Sequence, residues 1–443
     1  MNQSSTSVVA ARLPKIAYGR GLRVYDSQGR EYLDASGGPA VFCLGHGHPE
    51  VNAAIHKQLA QIAHGYRYTF SSEPLEQLMA LVQRGCGAAL THMVFVSGGS
   101  EAVESSMKLA LQYHSARGDM TRRRFIARRR SWHGNTLGAL SLSDYRERRE
   151  PFEGALLDVI RIGAVNAYRP PMGVMAEEVA EFCAAELEQA IIAHGPETIA
   201  AFVFEPVVGS AGGVVPAPPG YAARVRQICD RYGVLMVADE VMSGVGRCGS
   251  WRALAHDDVV PDIMAIAKGL AGGYMPLGAA VYSEQVAEPI HSVHGGPLTG
   301  HTFTGHTVAC AAGVAVQRII ERDGLITMVK QRGEWLKSQL REVLSDEPAV
   351  GDIRGRGYFI GIELVADAAT KIPFPPEKRL YLKIRDQAFA RGLICYPNGG
   401  NVDGVSGDTV ILAPPYNSSE AELTEIIGRF QASLRAALAQ IGR

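Results

Sequence analysis

The middle of the chain alternates short, wholly apolar runs with helical stretches, and this pattern admits few folds. Residues 92–96, 125–127, 199–204, 234–238, 263–266 and 278–282 read as strands. They are apolar at consecutive positions, so both faces are expected to be covered. Helical stretches lie between them, among them 101–113, with Ser100 as its expected N-cap, and 221–231. The pattern predicts an α/β fold with a large, mostly parallel sheet packed between helices.

The two ends read differently. Residues 18–44 look hairpin-rich, with a turn at Ser27-Gln28-Gly29. From about residue 321 a long helix runs through Trp335 towards 343. Strand 358–365, a Pro-rich loop at 372–376, helix 379–391, strand 409–412 and a last helix opening at Ser418-Ser419-Glu420 come after it. That is an α+β unit. The expected division is 1–58 as the N-terminal segment of a small domain, 59–320 as the large domain, and 321–443 as the rest of the small domain.

Composition removes several function classes. The chain has 443 residues and a formal net charge of −1, which gives no bulk attraction to nucleic acid or anionic membrane. No apolar run reaches the ~18 residues of a membrane span, and the polar start lacks a secretory signal. The basic run at 122–130 is read as a solvated strand edge; nucleic-acid binding through it is the non-enzyme alternative. The seven cysteines are scattered and never form C-x-x-C, which fits a reduced, cytoplasmic setting. His46, His48 and His56 have no Cys or carboxylate cluster to complete a metal site, so none is expected.

In open α/β sheets ligands bind outside the carboxyl ends of the strands. The residues just after each run are therefore informative. The first run leads into Ser97-Gly98-Gly99-Ser100 at a helix start, where free N–H groups suit a phosphate. The second leads to Ser131-Trp132-His133-Gly134, an aromatic able to stack on a ring. Glu205, Asp239-Glu240-Val241 and Ala267-Lys268-Gly269 end the next three. Lys268 after an apolar run is unusual, because Lys is rarely buried unless paired or reactive. A phosphorylated aromatic with a pyridinium nitrogen and an aldehyde would use all of these, and pyridoxal phosphate (PLP) is that cofactor. A nicotinamide site is not expected. Gly355-Arg356-Gly357-Tyr358-Phe359-Ile360-Gly361 is a near-miss to the dinucleotide fingerprint that precedes a strand, not a helix.

In these motifs the chain resembles the class III (omega) aminotransferases, fold-type I PLP enzymes. Gly45-His46-Gly47-His48-Pro49, Ser97 to Ala102, Asp239 to Arg247, Ala267-Lys268-Gly269-Leu270 and Gly300 to His306 carry the resemblance. It makes 59–320 the PLP-binding domain. It implies that Lys268 forms the Schiff base and shuttles the proton, and that Asp239 pairs with the ring nitrogen. Val241 and Trp132 would flank the ring, Gly99 and Ser100 would bind the phosphate, and Glu205 would support the cofactor edge. Thr302 would add a phosphate contact from a neighbouring subunit. The unit is then a homodimer, with pairing of dimers into tetramers left open. His133 is given no definite role.

Two departures bear on substrate. Many members that use 2-oxoglutarate or glutamate carry an Arg where this chain has Tyr396, and a Glu where it has Ser210. The losses agree, since that Glu without its Arg would be an unpaired charge. The resemblance thus implies transamination by a ping-pong mechanism, from an amine or ω-amino acid to an oxo acid, with pyruvate favoured over 2-oxoglutarate. Tyr396 and Trp132 would face the substrate, and the Gly-rich stretch 398–408 could fold over the pocket. Decarboxylases, aminomutases and racemases share the cofactor residues and stand as alternatives.

Overall fold

The computed structural model describes residues 13–443, so the first twelve residues of the expected N-terminal segment lie outside the described residues. Strands β1 (Ile16–Arg20), β2 (Arg23–Asp26) and β3 (Glu31–Asp34) form an antiparallel meander. The expected turn closes it: Asp26 Oδ1 accepts from Gln28 N at 2.9 Å and from Arg30 N at 3.0 Å. Short polar side chains that satisfy nearby backbone donors favour such turns.

The large sheet contains β4 (Leu90–Val96), β5 (Arg124–Arg128), β6 (Val159–Ile162) and β7 (Ile199–Phe204). After a two-residue ribbon of β8 (Val207–Val208) and β9 (Val215–Pro216) come β10 (Leu235–Asp239), β11 (Ile263–Ile266) and β12 (Gly278–Ser283). The order is β4-β12-β11-β10-β7-β5-β6. β6, β5, β7, β10 and β11 run parallel, whereas β12 is antiparallel to both β11 and β4. Apolar continuity alone does not reveal that reversal. Its cause is the connection 267–277, too short for the crossover of about a dozen residues or more that a parallel neighbour requires.

The basic run, read from sequence as a solvated strand edge, lies instead on a strand inside the sheet. β5 sits between β7 and β6. Arg128 is buried and stacks over Phe204 and Tyr221, with its Cζ 5.3 and 5.7 Å from their centroids. Arg122 donates to the carbonyls of Pro196, Ile199 and Tyr232 at 2.9–3.0 Å. These arginines tie the sheet's neighbours together and are not free for phosphates.

The second body is an antiparallel sheet, β13 (Val350–Arg356), β14 (Phe359–Leu364), β16 (Tyr396–Gly399) and β17 (Asp408–Leu412), ordered β13-β14-β17-β16. Just before β16, β15 (Leu393–Ile394) pairs in parallel with β3, so both ends of the chain meet in one ladder. β13 escapes sequence reading because it holds Asp352, Arg354 and Arg356. The fold neutralises them; buried Arg354 meets Glu363 at 2.5 Å. The Gly-rich stretch after Pro397 is a hairpin connection seated on Arg130, which donates to the Gly400 carbonyl at 3.2 Å. Neither it nor the near-miss fingerprint enters a helix: Gly355 to Gly361 forms the β13–β14 hairpin.

Helices Thr307–Arg322 and Leu325–Val343 are divided at Asp323-Gly324, where Gly324 has φ +62°, so the helix expected from about 321 starts at 325. The first is shared by two cores. Ala309, Cys310 and Val314 pack under the large sheet, while Val316, Ile319 and Ile320 pack with Leu336, Ile360, Ile426 and Phe430 of the second body. The expected 320/321 boundary therefore falls inside a helix. No helix among the described residues is long and apolar enough to cross a membrane.

Gly333 lets helix Leu325–Val343 meet the β13–β14 turn: a Cβ there would lie 2.5 Å from the Gly357 backbone. Gly→Ala in an open helix adds about 1 kcal/mol of stability. Gly333→Ala is expected to remove about 1–3 kcal/mol instead, read as a lower urea midpoint; a higher midpoint would refute the contact.

Candidate active site

A cavity of about 410 Å³ opens at the carboxyl edge of the large sheet. Ser97, Gly98, Gly99 and Ser100 line it after β4, Trp132, His133 and Gly134 after β5, and Glu205 after β7. Asp239 and Val241 line it after β10, and Lys268 after β11. The strand register brings them together. Ala238 is paired with Phe204, so the next residues, Asp239 and Glu205, are adjacent. Asp239 is paired with Ala265, three residues before Lys268.

At the first strand end, helix Gly99–Ala116 starts two residues earlier than read from sequence. Its N-cap is Gly98, in extended backbone and without a side-chain cap. Ser100 lies inside the first turn, and its Oγ accepts from Asn135 N at 3.0 Å. Uncapped first-turn amides and the positive end of the helix dipole make an anion site. Gly99 keeps the approach open, since a Cβ there would lie 2.7 Å from Val241 Cγ1.

The carboxylates are held from several sides. Asp239 Oδ1 accepts from Val241 N at 3.0 Å, and Oδ2 lies 2.8 Å from His133 Nδ1. Glu205 Oε1 accepts from Trp132 N at 3.0 Å, and Oε2 from Gly209 N at 2.8 Å. Burial pushes the Glu205 carboxyl above its usual range; neighbouring Asp239 adds to the rise, and His133 opposes it. Lys268 shows the reverse: desolvation brings its amine down to about 8, against the pull of Asp239 and Glu205, and Arg247 adds to the fall. Lys268 also has φ +44°, a left-handed conformation uncommon for a non-glycine residue. The site therefore holds an amine able to be neutral close to physiological pH.

Arg247 ties the termini to this edge. Its buried guanidinium lies over the Tyr416 ring at 4.7 Å and donates to the carbonyls of Pro414 at 2.6 Å, Tyr358 at 3.3 Å and Phe42 at 3.4 Å. Beside Phe42, Val41 enters the cavity wall. Strand-end reasoning misses Val41, because it comes from the other body; the nearby Gly-rich segment is its only sequence signal. Sequence reading gives His133 no role, yet it is the direct partner of Asp239. Its place one residue after Trp132 is the signal.

Tyr396, expected to face the substrate, is not in the wall; neither is Thr302, expected to reach a neighbouring subunit's site. Tyr396 packs against the cluster of Ala40, Val207, Met242 and Ile411, which includes the lining residue Met242. Thr302 is exposed, beside exposed Phe303. No group of three metal-ligating side chains occurs among the described residues; His46 Nε2 lies 3.1 Å from Asp34 Oδ2.

A phosphorylated pyridine aldehyde fits this donor set. The uncapped amides suit its phosphate, the depressed amine its aldehyde, and the Asp239–His133 pair a ring nitrogen. The family model described as "Aminotransferase class-III" matches residues 7–434. The uncharacterized aminotransferase YodT of Bacillus subtilis is 40% identical over 428 residues, covering 97% of this chain and 96% of that protein. An (S)-enantioselective omega-transaminase from Thermomicrobium roseum is 33% identical with a TM-score of 0.89, covering 96% of this chain and 93% of its own. An omega transaminase from Pseudomonas jessenii in complex with PMP is 30% identical with a TM-score of 0.92, covering 100% and 97%. The chain belongs to the class III aminotransferases, fold-type I enzymes that depend on PLP.

Proposed function

We propose that the enzyme moves an amino group from an amine or ω-amino acid to an oxo acid in two half-reactions, with pyruvate favoured over 2-oxoglutarate. The observation that carries this is the cavity wall: apart from Lys268 it has no lysine or arginine among the described residues. A second carboxylate, as in 2-oxoglutarate, would find no cation in that wall. Tyr396 and Ser210, in place of a charged pair, support the same reading. So does the omega-transaminase from T. roseum, a relative by structure.

When bound, PLP supplies an electrophilic aldehyde carbon and a ring that accepts an electron pair. The protein's own residues do the rest. Lys268 Nζ anchors the cofactor and then, as a neutral amine, takes the proton from the substrate α-carbon and returns it. The Asp239 carboxylate holds a proton at the ring nitrogen, and His133 Nδ1 fixes the carboxylate's orientation. Trp132 and Val241 confine the ring, Glu205 positions the Trp132 turn, and the Gly99 and Ser100 amides take the phosphate. Thr302 serves the site of a second copy in a homodimer, which the exposed Leu298 and Phe303 around it support. Seven buried, unpaired cysteines support a reducing, cytoplasmic setting.

Lys268→Ala is expected to abolish turnover and the visible cofactor band while the far-ultraviolet dichroism stays unchanged; an active variant would refute the assignment. Asp239→Asn is expected to lower kcat by about two or more orders of magnitude and to keep the visible band. Near-normal kcat would count against the aspartate's role.

In steady-state assays with one amine donor, pyruvate is expected to give a higher kcat/KM than 2-oxoglutarate, with parallel double-reciprocal lines. A clear preference for 2-oxoglutarate would overturn the acceptor reading.

An amine acylates only when neutral, and the Lys268 amine is lowered to about 8. In cofactor-free protein its acylation rate should therefore rise with pH and level off with a midpoint near 8, as followed by peptide mass spectrometry. A midpoint near 10.5, the usual lysine value, would show that the depression is absent.

A further inference from the structure

An oxo acid brings at least one carboxylate into a cavity whose wall, among the described residues, has only Lys268 as a lysine or arginine. Lys268 is committed to the cofactor and the proton. A carboxylate buried without a partner is costly, so its cation has to come from the rim.

The short helix Arg146–Arg149 reaches the lining residue Trp132 through Arg148. Two of its three arginines are engaged. Arg146 lies 3.5 Å from Glu150, and Arg149 donates to the Ser143 carbonyl at 3.0 Å and lies 3.9 Å from Glu153. Arg130 nearby is held by Asp144 at 2.7 Å. Arg148 is different. It is exposed, and its guanidinium makes no ion pair or hydrogen bond among the described residues. Its Cζ lies 5.0 Å from the centroid of Trp132 and 5.5 Å from that of Tyr145. Trp132 lines the cavity. Tyr145 is within electrostatic reach of Tyr396, the residue that stands in place of the family's arginine.

An aromatic face holds a guanidinium by its quadrupole and leaves the N–H donors unspent. Such a cation is parked near the cavity without being neutralised. Its planar fork matches a carboxylate, which it can take with two parallel hydrogen bonds.

We propose that Arg148 is the carboxylate anchor of the oxo-acid acceptor, turning from the Trp132 face to the substrate as it arrives. This rests on the oxo-acid half-reaction given above and adds the residue that recognises the acid group.

The test compares wild type, Arg148→Met and Arg148→Lys with pyruvate and with propanal, an acceptor of similar size without a carboxylate. Arg148→Met is expected to raise the pyruvate KM about tenfold or more, the worth of lost charge-assisted hydrogen bonds, and to leave propanal kinetics within about twofold. Arg148→Lys should fall between. The inhibition constant of propionate should rise in step with the pyruvate KM, and its effect on Trp132 fluorescence should be lost in Arg148→Met. An unchanged pyruvate KM would overturn the proposal, as would an equal loss with both acceptors, which marks a structural role. If wild type prefers 2-oxoglutarate, the pyruvate reading falls, and the same comparison made with 2-oxoglutarate still decides Arg148.

Discussion

Two buried carboxylates and one amine share the carboxyl edge of a parallel sheet, and the rest of the site is built around keeping that triad tolerable. Asp239, Glu205 and Lys268 meet because neighbouring strands end in register. Isolated buried charges are strongly unfavourable, and pairing alone seldom offsets the loss of water. Here backbone N–H groups of Trp132, Gly209 and Val241, with His133, hold the two acids in place. The amine carries the remaining strain as a lowered proton affinity. The turns after the strands are thus shaped by electrostatics as much as by chain geometry.

How far the fold is legible in the sequence depends on how local its causes are. Runs 199–204 and 263–266 match β7 and β11 residue for residue, because apolar continuity and the flanking turns agree. The last helix opens as read, with Ser419 and Glu422 in a reciprocal cap. β13 is invisible because its charges find partners only in three dimensions. The direction of β12 depends on a loop length, and Ser100 loses its cap position because Glu101 reaches back to Ser97 N at 2.7 Å. For the site, strand-end residues are legible since the topology places every such end on one edge. Val41 is not, because its place depends on a contact between the two bodies. Tyr396 and Thr302 sit outside the single chain's cavity wall. That placement depends on three-dimensional packing, which periodicity does not encode.

Arg247 shows how the two bodies are joined at that edge. One guanidinium gathers carbonyls from residues 42, 358 and 414, spread over most of the chain. It stacks on Tyr416, binds carbonyls and has no anion partner among the described residues, so its charge is felt at Lys268. A residue that looks like part of a turn motif therefore links assembly of the termini to the electrostatics of the amine.

The helix Thr307–Arg322 has a consequence for how such proteins change over time. Because its first half belongs to one core and its second half to the other, neither body is a portable module. Exchange between related genes that cuts at the apparent border would divide a single hydrophobic stripe between strangers. Substrate preference is then expected to diversify by changes at the rim, where side chains such as Arg148 have few dependants, while the helix and the cores it unites are inherited as one block.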